Sequence, residues 1–408
     1  MFEKTKVGIM GTGNIAGTMA TTIKGMRGVA CHAVGSRDLG RAENFAEEYK
    51  VKNAYGSYEE LCNDPKVNLI YVATPHSEHF ENVKLALEHG KAVLCEKAFT
   101  LNEEQAKELF KIAAEKDVFL AEAMWTRFIP LGAKLREILS SNVIGEISLV
   151  TADLSFNIAW KDRIKNPSLG GGALLDLGVY GLTFASMVLG DDVTDITSLA
   201  TKNEDGMDMQ DVITLKYRTG QMAAITCSAL SWGSNKGMIF GTNGHVEVDV
   251  INNFESITVY DNAGTKIGFY KKEKQITGYE YEVSSVINAI AQGWKECPEM
   301  PHSQTLKILN MMDFIRKQND IVFTQEREAA QRKKEPVEDN TEEVAVEETK
   351  VAEETVVAGE VESAVEAEVE AVAEAEVEAQ QDVVEGIETS TGEVSEDQSE
   401  AEQAEPEE

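Results

Sequence analysis

The segment Lys6-Val7-Gly8-Ile9-Met10-Gly11-Thr12-Gly13-Asn14-Ile15-Ala16 constrains this chain more than any other. An apolar run of strand length passes through a G-x-G-x-x-A turn into a stretch with helical spacing. Gly11 permits the tight turn, Gly13 lets a pyrophosphate approach the backbone, and the small Ala16 permits close helix packing. The helix that starts at Ile15, just after Asn14, offers free N–H groups and partial positive charge to phosphates. Strand, turn and helix together predict a dinucleotide site. A purely structural glycine turn, or FAD as the ligand, are the alternatives.

Strand and helix patterns alternate from there. Strands are expected at 6–10, 30–36, 68–74, 92–95 and 118–122, and helices at 15–26, 41–49, 58–63, 80–89 and 103–116. Short links between them imply parallel strands joined by right-handed crossovers, the Rossmann arrangement. The pattern changes after a short helical stretch at 136–139. A strand at 147–156 and a long helix at 172–189 follow, and then successive strands from 195 to 271. Turns such as Thr242-Asn243-Gly244 separate them; Asn-Gly is a hairpin signal because both residues tolerate positive φ. Helices at 281–292 and 304–317 close the globular part near Phe323. The fold class is therefore α/β: a Rossmann domain over 1–122 and an α+β domain over 123–325 with a large, mainly antiparallel sheet.

Residues 326–408 are expected to be a disordered acidic tail. From Gln331 on, 28 Asp+Glu face 4 Lys+Arg, a net −24 of the chain's −33, and no aromatic residue follows Phe323. Such composition cannot offset chain entropy by burying apolar surface. A solvating role is expected for it, with an unidentified partner as the alternative. The remaining −9 leaves no large basic patch, which argues against nucleic acid as a partner. The five cysteines are dispersed, without metal-ligand spacing, so no metal is expected. They fit a reducing compartment, and the N-terminus lacks signal-peptide features, so a cytoplasmic location is expected. No run approaches the ~20 apolar residues of a membrane span, so no membrane association is expected. A sheet with one face free of helices needs a second surface, so a homodimer through that sheet is expected.

Two further stretches carry candidate chemistry. The second strand ends Val34-Gly35-Ser36-Arg37. A serine and an arginine there suit a 2′-phosphate and predict NADP, while Asp38 keeps NAD open. In Gly170-Gly171-Gly172-Ala173-Leu174-Leu175-Asp176-Leu177-Gly178-Val179-Tyr180, Asp176 and Tyr180 lie four apart and share a helical face. Taken alone, this pair also reads as a packed tyrosine with its hydrogen-bond partner.

Across residues 4–325 the chain resembles the glucose–fructose oxidoreductase/inositol dehydrogenase (Gfo/Idh/MocA) family. The motifs are GTGNIA at 11–16, ATPHSEH at 73–79, CEKAF at 95–99 and GGGALLDLGVY at 170–180. EAMWTRFIP at 122–130 is similar to the dimeric dihydrodiol dehydrogenase branch and its sugar-dehydrogenase relatives. The resemblance implies hydride transfer between a nicotinamide and a small-molecule CH–OH group of a sugar, polyol or trans-diol, or the corresponding carbonyl. It assigns Lys97, Asp176 and Tyr180 to catalysis. Tyr180 would be the acid/base, its pKa lowered by the Lys97 ammonium. It places Thr74, Pro75, His76, His79 and Glu96 at the cofactor beside Lys97. Trp125, Arg127, Phe156 and Arg163 would meet substrate, with Leu154 where the branch presents an aromatic. Proline often follows the family's lysine, in a cis peptide. Here it is Ala98, and because a non-proline cis bond costs about 2.5–4 kcal/mol, a trans bond is expected unless the fold tolerates strain. The alternative is a non-catalytic nucleotide sensor on the same fold, which would have no need of Lys97, Asp176 and Tyr180.

Overall fold

A computed structural model describes residues 4–332. Strands β1 (Thr5–Met10), β2 (Val29–Gly35), β3 (Asn53–Tyr55), β4 (Leu69–Val72), β5 (Ala92–Glu96) and β6 (Leu120–Ala123) form one parallel sheet in the order β3-β2-β1-β4-β5-β6. Helices α1 (Asn14–Gly25), α2 (Leu39–Tyr49), α3 (Tyr58–Asn63), α4 (His76–Glu88) and α5 (Glu103–Glu115) link them. Every residue of β4 is buried, as a strand covered on both faces requires. Strand order reverses between β1 and β4, and a ligand crevice opens beyond the carboxyl ends at such a point. Sequence reading missed β3, which has three residues, none of them β-branched. It also started α4 late: Pro75 caps that helix, so His76 is its first residue.

The second sheet joins β7 (Ile147–Ser155), β8 (Val193–Lys202), β9 (Asp208–Tyr217), β10 (Met222–Ser228), β11 (Gly237–Gly241), β12 (Gly244–Asp249), β13 (Ser256–Asp261) and β14 (Lys266–Lys271). Their order is β14-β13-β12-β11-β7-β10-β9-β8. Neighbours are antiparallel except β7 and β10, which run parallel from Met222↔Leu149 to Ser228↔Ser155. Helices α6 (Pro130–Ser140) and the short α7 (Asp162–Lys165) flank β7 in sequence. A π-helical turn, Leu174–Gly178, runs into α8 (Val179–Leu189), which packs on β7 and β10. The stretch Pro167–Leu189 is, against expectation, long and apolar enough to cross a membrane by length and composition. However, 83% of its most apolar window is buried inside the fold, as in a core helix.

Helices α9 (Glu280–Ala291) and α10 (His302–Gln318) follow, and then α11 (Thr324–Arg332). The tail boundary at 326 is therefore corrected. The Glu326 carboxylate accepts from Arg316 Nη1 at 2.9 Å and Nη2 at 3.0 Å, and from Phe323 N at 3.1 Å. Acid-rich composition hid that one glutamate is the partner of a buried arginine. The expected tail from 333 onward lies outside the described residues.

Candidate active site

The carboxyl ends of β1, β2, β4 and β5 open onto a cavity of about 890 Å³. Gly11, Gly13, Asn14 and Ile15 line one part of it, Ser36 and Arg37 another, and Thr74, Pro75 and His76 a third. The glycine turn fits a pyrophosphate. Gly11 has φ +106°, and a Cβ on it would lie 2.7 Å from Ala73 O, while no atom lies within 4 Å of a Cβ on Gly13. Among the described residues, no side chain caps α1 and its first turn carries no acid, so its N–H groups face the cavity unopposed.

Lys97 leaves the end of β5 and spans to the second domain. Its Nζ donates to Asp176 O at 2.8 Å and to Asp176 Oδ1 at 3.0 Å. Arg163, from α7, also pairs with Asp176 Oδ1. Burial alone would raise the Asp176 pKa, but the Lys97 and Arg163 charges reverse this and hold it well below the ordinary carboxylate range. The peptide bond between Lys97 and Ala98 is cis, contrary to the expected trans bond. Ala98 is fully buried, with its carbonyl 2.9 Å from His79 Nδ1.

Tyr180 is buried, and its hydroxyl accepts from Trp125 Nε1 at 3.1 Å. The Lys97 ammonium lies 5.1 Å from the Tyr180 ring centroid, over its face. The expected lowering of the Tyr180 pKa is therefore corrected. Lys97 is engaged with Asp176, and burial, with Tyr279, Glu96 and Asp176 nearby, pushes the phenol well above its usual value. Tyr180 thus keeps its proton at neutral pH. Glu96 lines the cavity and accepts from the Tyr71 hydroxyl, and burial raises its carboxyl to about 7.

The two histidines separate. His76 lines the cavity and donates Nδ1–H to Gly170 O at 2.9 Å; burial, then Lys97, lower its pKa to about 3 and keep it neutral. His79, expected at the cofactor, is fully buried behind the cavity. Its Nδ1 is 2.9 Å from Ala98 O and its Nε2 2.9 Å from Thr74 O. Burial lowers its pKa, so the neutral ring donates to one of the two and braces the loop. Arg127, expected at the substrate, instead donates Nε to Glu299 O at 2.6 Å. Phe156 and Arg163 do line the cavity, with Leu154 beside them.

A family model described as an oxidoreductase family with an NAD-binding Rossmann fold matches residues 5–124, and one for the GFO/IDH/MocA C-terminal domain matches residues 133–247. The chain belongs to the Gfo/Idh/MocA oxidoreductase family. It is 33% identical over 304 residues to the trans-1,2-dihydrobenzene-1,2-diol dehydrogenase of Danio rerio, covering 72% of this chain and 90% of that one. The enzyme of that name from Xenopus laevis is 32% identical over 327 residues, covering 78% and 99%. A 3-ketoreductase from Actinomadura kijaniata, solved with NADP and TDP-benzene, superposes with a TM-score of 0.70 at 23% identity, covering 77% of this chain and 97% of that one. A levoglucosan dehydrogenase solved with NADH and levoglucosan gives 0.69 at 16% identity, covering 78% and 97%. At such identities the two structures show a shared fold. Family membership and the glycine cradle support a nicotinamide cofactor.

Several cavity residues of this Gfo/Idh/MocA protein escaped sequence reasoning. Tyr279 lines the cavity and stacks on Trp125, with ring centroids 4.3 Å apart. It precedes a helix start and carries no motif of its own. Arg41 lines the cavity near Arg37, while Asp38 accepts from Arg41 N at 2.8 Å and so caps α2. The Ser/Asp-rich start of α2 was the available signal. Lys161 and Trp232 come from loops with no periodicity to read.

Proposed function

We propose that this protein is an NADP(H)-dependent dehydrogenase/reductase acting on the CH–OH group, or the carbonyl, of a sugar, polyol or trans-diol. The observation that carries the reading is the convergence of Lys97, Asp176 and Tyr180 from two domains on one cavity that also holds the glycine cradle. The 33% identical diol dehydrogenase supports the substrate class.

Gly11, Gly13 and the α1 N-terminus would hold the pyrophosphate. Ser36, Arg37 and Arg41 would hold a 2′-phosphate. Asp38 has one carboxylate oxygen on Arg41 N and the other open to a ribose hydroxyl, so the NADP preference rests on Ser36, Arg37 and Arg41. The nicotinamide, when bound, supplies or accepts the hydride. Tyr180 is a protonated phenol beside a fixed cation. It donates its hydroxyl proton to the substrate oxygen in reduction and takes it back in oxidation. Lys97, pinned by Asp176, supplies positive charge next to the oxygen that gains charge. Trp125, outside the cavity lining, orients the Tyr180 hydroxyl by its hydrogen bond, and Tyr279, stacked on Trp125, walls the site. The test is a panel of sugars, polyols and trans-diols with NADP+, and their carbonyl counterparts with NADPH, followed by absorbance. Turnover of at least one is expected, and none across the panel would reject the reading.

A homodimer through the second sheet is part of this proposal. Leu199 (77% exposed) and Val212 (55% exposed) are cross-strand partners on its open face, which suits burial against a second copy.

A further inference from the structure

Asp208 and Asp211 lie on β9, directly under the turn that begins the Asp176–Tyr180 helix. Both are 1% exposed. Asp208 Oδ2 accepts from Leu174 N at 2.6 Å. It thus closes the N-terminus of the helical segment that carries both active-site side chains. Gly172 has φ +107°, and a Cβ there would collide with the Asp208 carboxylate. The two buried carboxylates interact directly with each other. Carboxylates only accept, so two of them bond only when one carries a proton. Asp211 Oδ2 accepts from Cys227 Sγ at 3.3 Å. Asp211 Oδ1 is buried and meets no donor. A proton on that atom, donated to Asp208, explains why it is unpaired and why the contact holds. Among the described residues, neither aspartate has an ion-pair partner.

We propose that Asp208 and Asp211 share one buried proton, and that this pair positions the helix that presents Asp176 and Tyr180. Both are positioning residues, since neither lines the cavity. The link to turnover rests on the function proposed above; the shared proton does not. Burial first, then the Asp208 charge, push the Asp211 carboxyl up to about 9, in keeping with the geometry.

The elements around β9 supply no competing titration partner but Cys227. On β10, Cys227 donates to Asp211. On β8, Lys202 Nζ is engaged with Asn319 O, and Asp195 with Thr194. On α7, Arg163 faces Asp176 and Lys165 faces Asp162. In the π-helical turn, Asp176 faces Lys97.

The signs follow by linkage. The folded state holds a proton that the unfolded chain has released between the ordinary aspartate value and about 9. Wild-type stability therefore falls as pH rises through that window and levels above it. Asp211→Asn keeps a donor to Asp208 and has no proton to lose. Its stability relative to wild type should rise with pH, by up to ~10-fold in the folding equilibrium per pH unit. Asp211→Val has no donor, so it should accelerate amide exchange at Leu174 and lower kcat with cofactor Kd unchanged; Asp211→Asn should restore both.

The experiment is thermal unfolding of full-length wild type and both variants from pH 5.5 to 8.5. It is joined by amide exchange at Leu174 and by infrared difference spectra of wild type against Asp211→Asn for the protonated-carboxyl band. A Tm gap between wild type and Asp211→Asn that stays constant with pH, and no lost band, would overturn the shared proton. Unchanged Leu174 exchange in Asp211→Val would overturn the positioning role. Should Asp211→Val not fold, the Asp211→Asn and infrared arms still decide the proton, and Asp211→Leu, closer in shape, repeats the exchange arm. A wild type that turns over no substrate rejects the proposed activity and leaves these readouts intact.

Discussion

Replacing Asp176 by asparagine removes the charge that Lys97 and Arg163 share while keeping the side chain's shape. The two contacts are not equal. Arg163 is 47% exposed, so solvent screens it and its share is at most ~1 kcal/mol. Lys97 is 13% exposed, and stranding one partner of a buried pair costs about 3–5 kcal/mol. The asparagine carbonyl and the Asp176 backbone oxygen still accept from Lys97, which sets the expected loss near ~3 kcal/mol, a fall in Tm of roughly 5–10 °C. Asp176 has a depressed folded pKa, so its contribution is full above the unfolded value and is lost as pH falls through the folded one. Differential scanning calorimetry at pH 7, 5 and 3.5 should show equal gaps at the first two and a smaller gap at the third. A gap that is absent at pH 7, or that does not change between pH 5 and 3.5, would refute the reasoning.

Arg37→Ala should weaken NADP(H) binding by about 10-fold or more while sparing NAD(H), because only one of them carries the 2′-phosphate; calorimetric titration checks this, and equal losses for both would reject it. A chain ending at Arg332 keeps the Glu326–Arg316 bonds and should retain wild-type Tm, turnover and sedimentation. Leu199→Asp should turn a dimer into a monomer by sedimentation velocity, because it places charge on the face offered to a second copy.

The N-terminal domain was legible because its signals are local. The glycine turn follows a buried strand, and each helix shows its period. In the second domain the strand run and the hairpin turns could be read, but the parallel pairing of β7 with β10 could not. It joins residues more than seventy positions apart, from Met222↔Leu149 to Ser228↔Ser155, with no local trace. Lys97, Asp176 and Tyr180 were legible as motifs, and their meeting depends on the domain arrangement. The Tyr180 pKa was read in the wrong direction because a sequence places a lysine near a tyrosine without saying which part of the ring it faces. Arg127 looked like a cleft residue by its nearness to Trp125, yet Trp125 itself reaches the site only through Tyr180, and two positions along a 3₁₀ turn put Arg127 against Glu299. The tail boundary failed for a related reason: composition averages over Glu326, and burial does not.

The most direct measurement is the single-turnover rate of hydride transfer in Tyr180→Phe beside wild type, read by NADPH absorbance with a substrate from the panel. The ring and its place beneath the Lys97 ammonium remain, so cofactor Kd should be unchanged. The proton is gone, so the rate should fall about 10²–10⁴-fold, a rise in the barrier of roughly 3–5 kcal/mol. The Trp125 indole N–H loses its acceptor, which should cost ~1–3 kcal/mol in stability and serve as an internal check that the substitution acts where intended. A hydride-transfer rate equal to that of wild type would contradict the assignment of Tyr180 as the acid/base of this site.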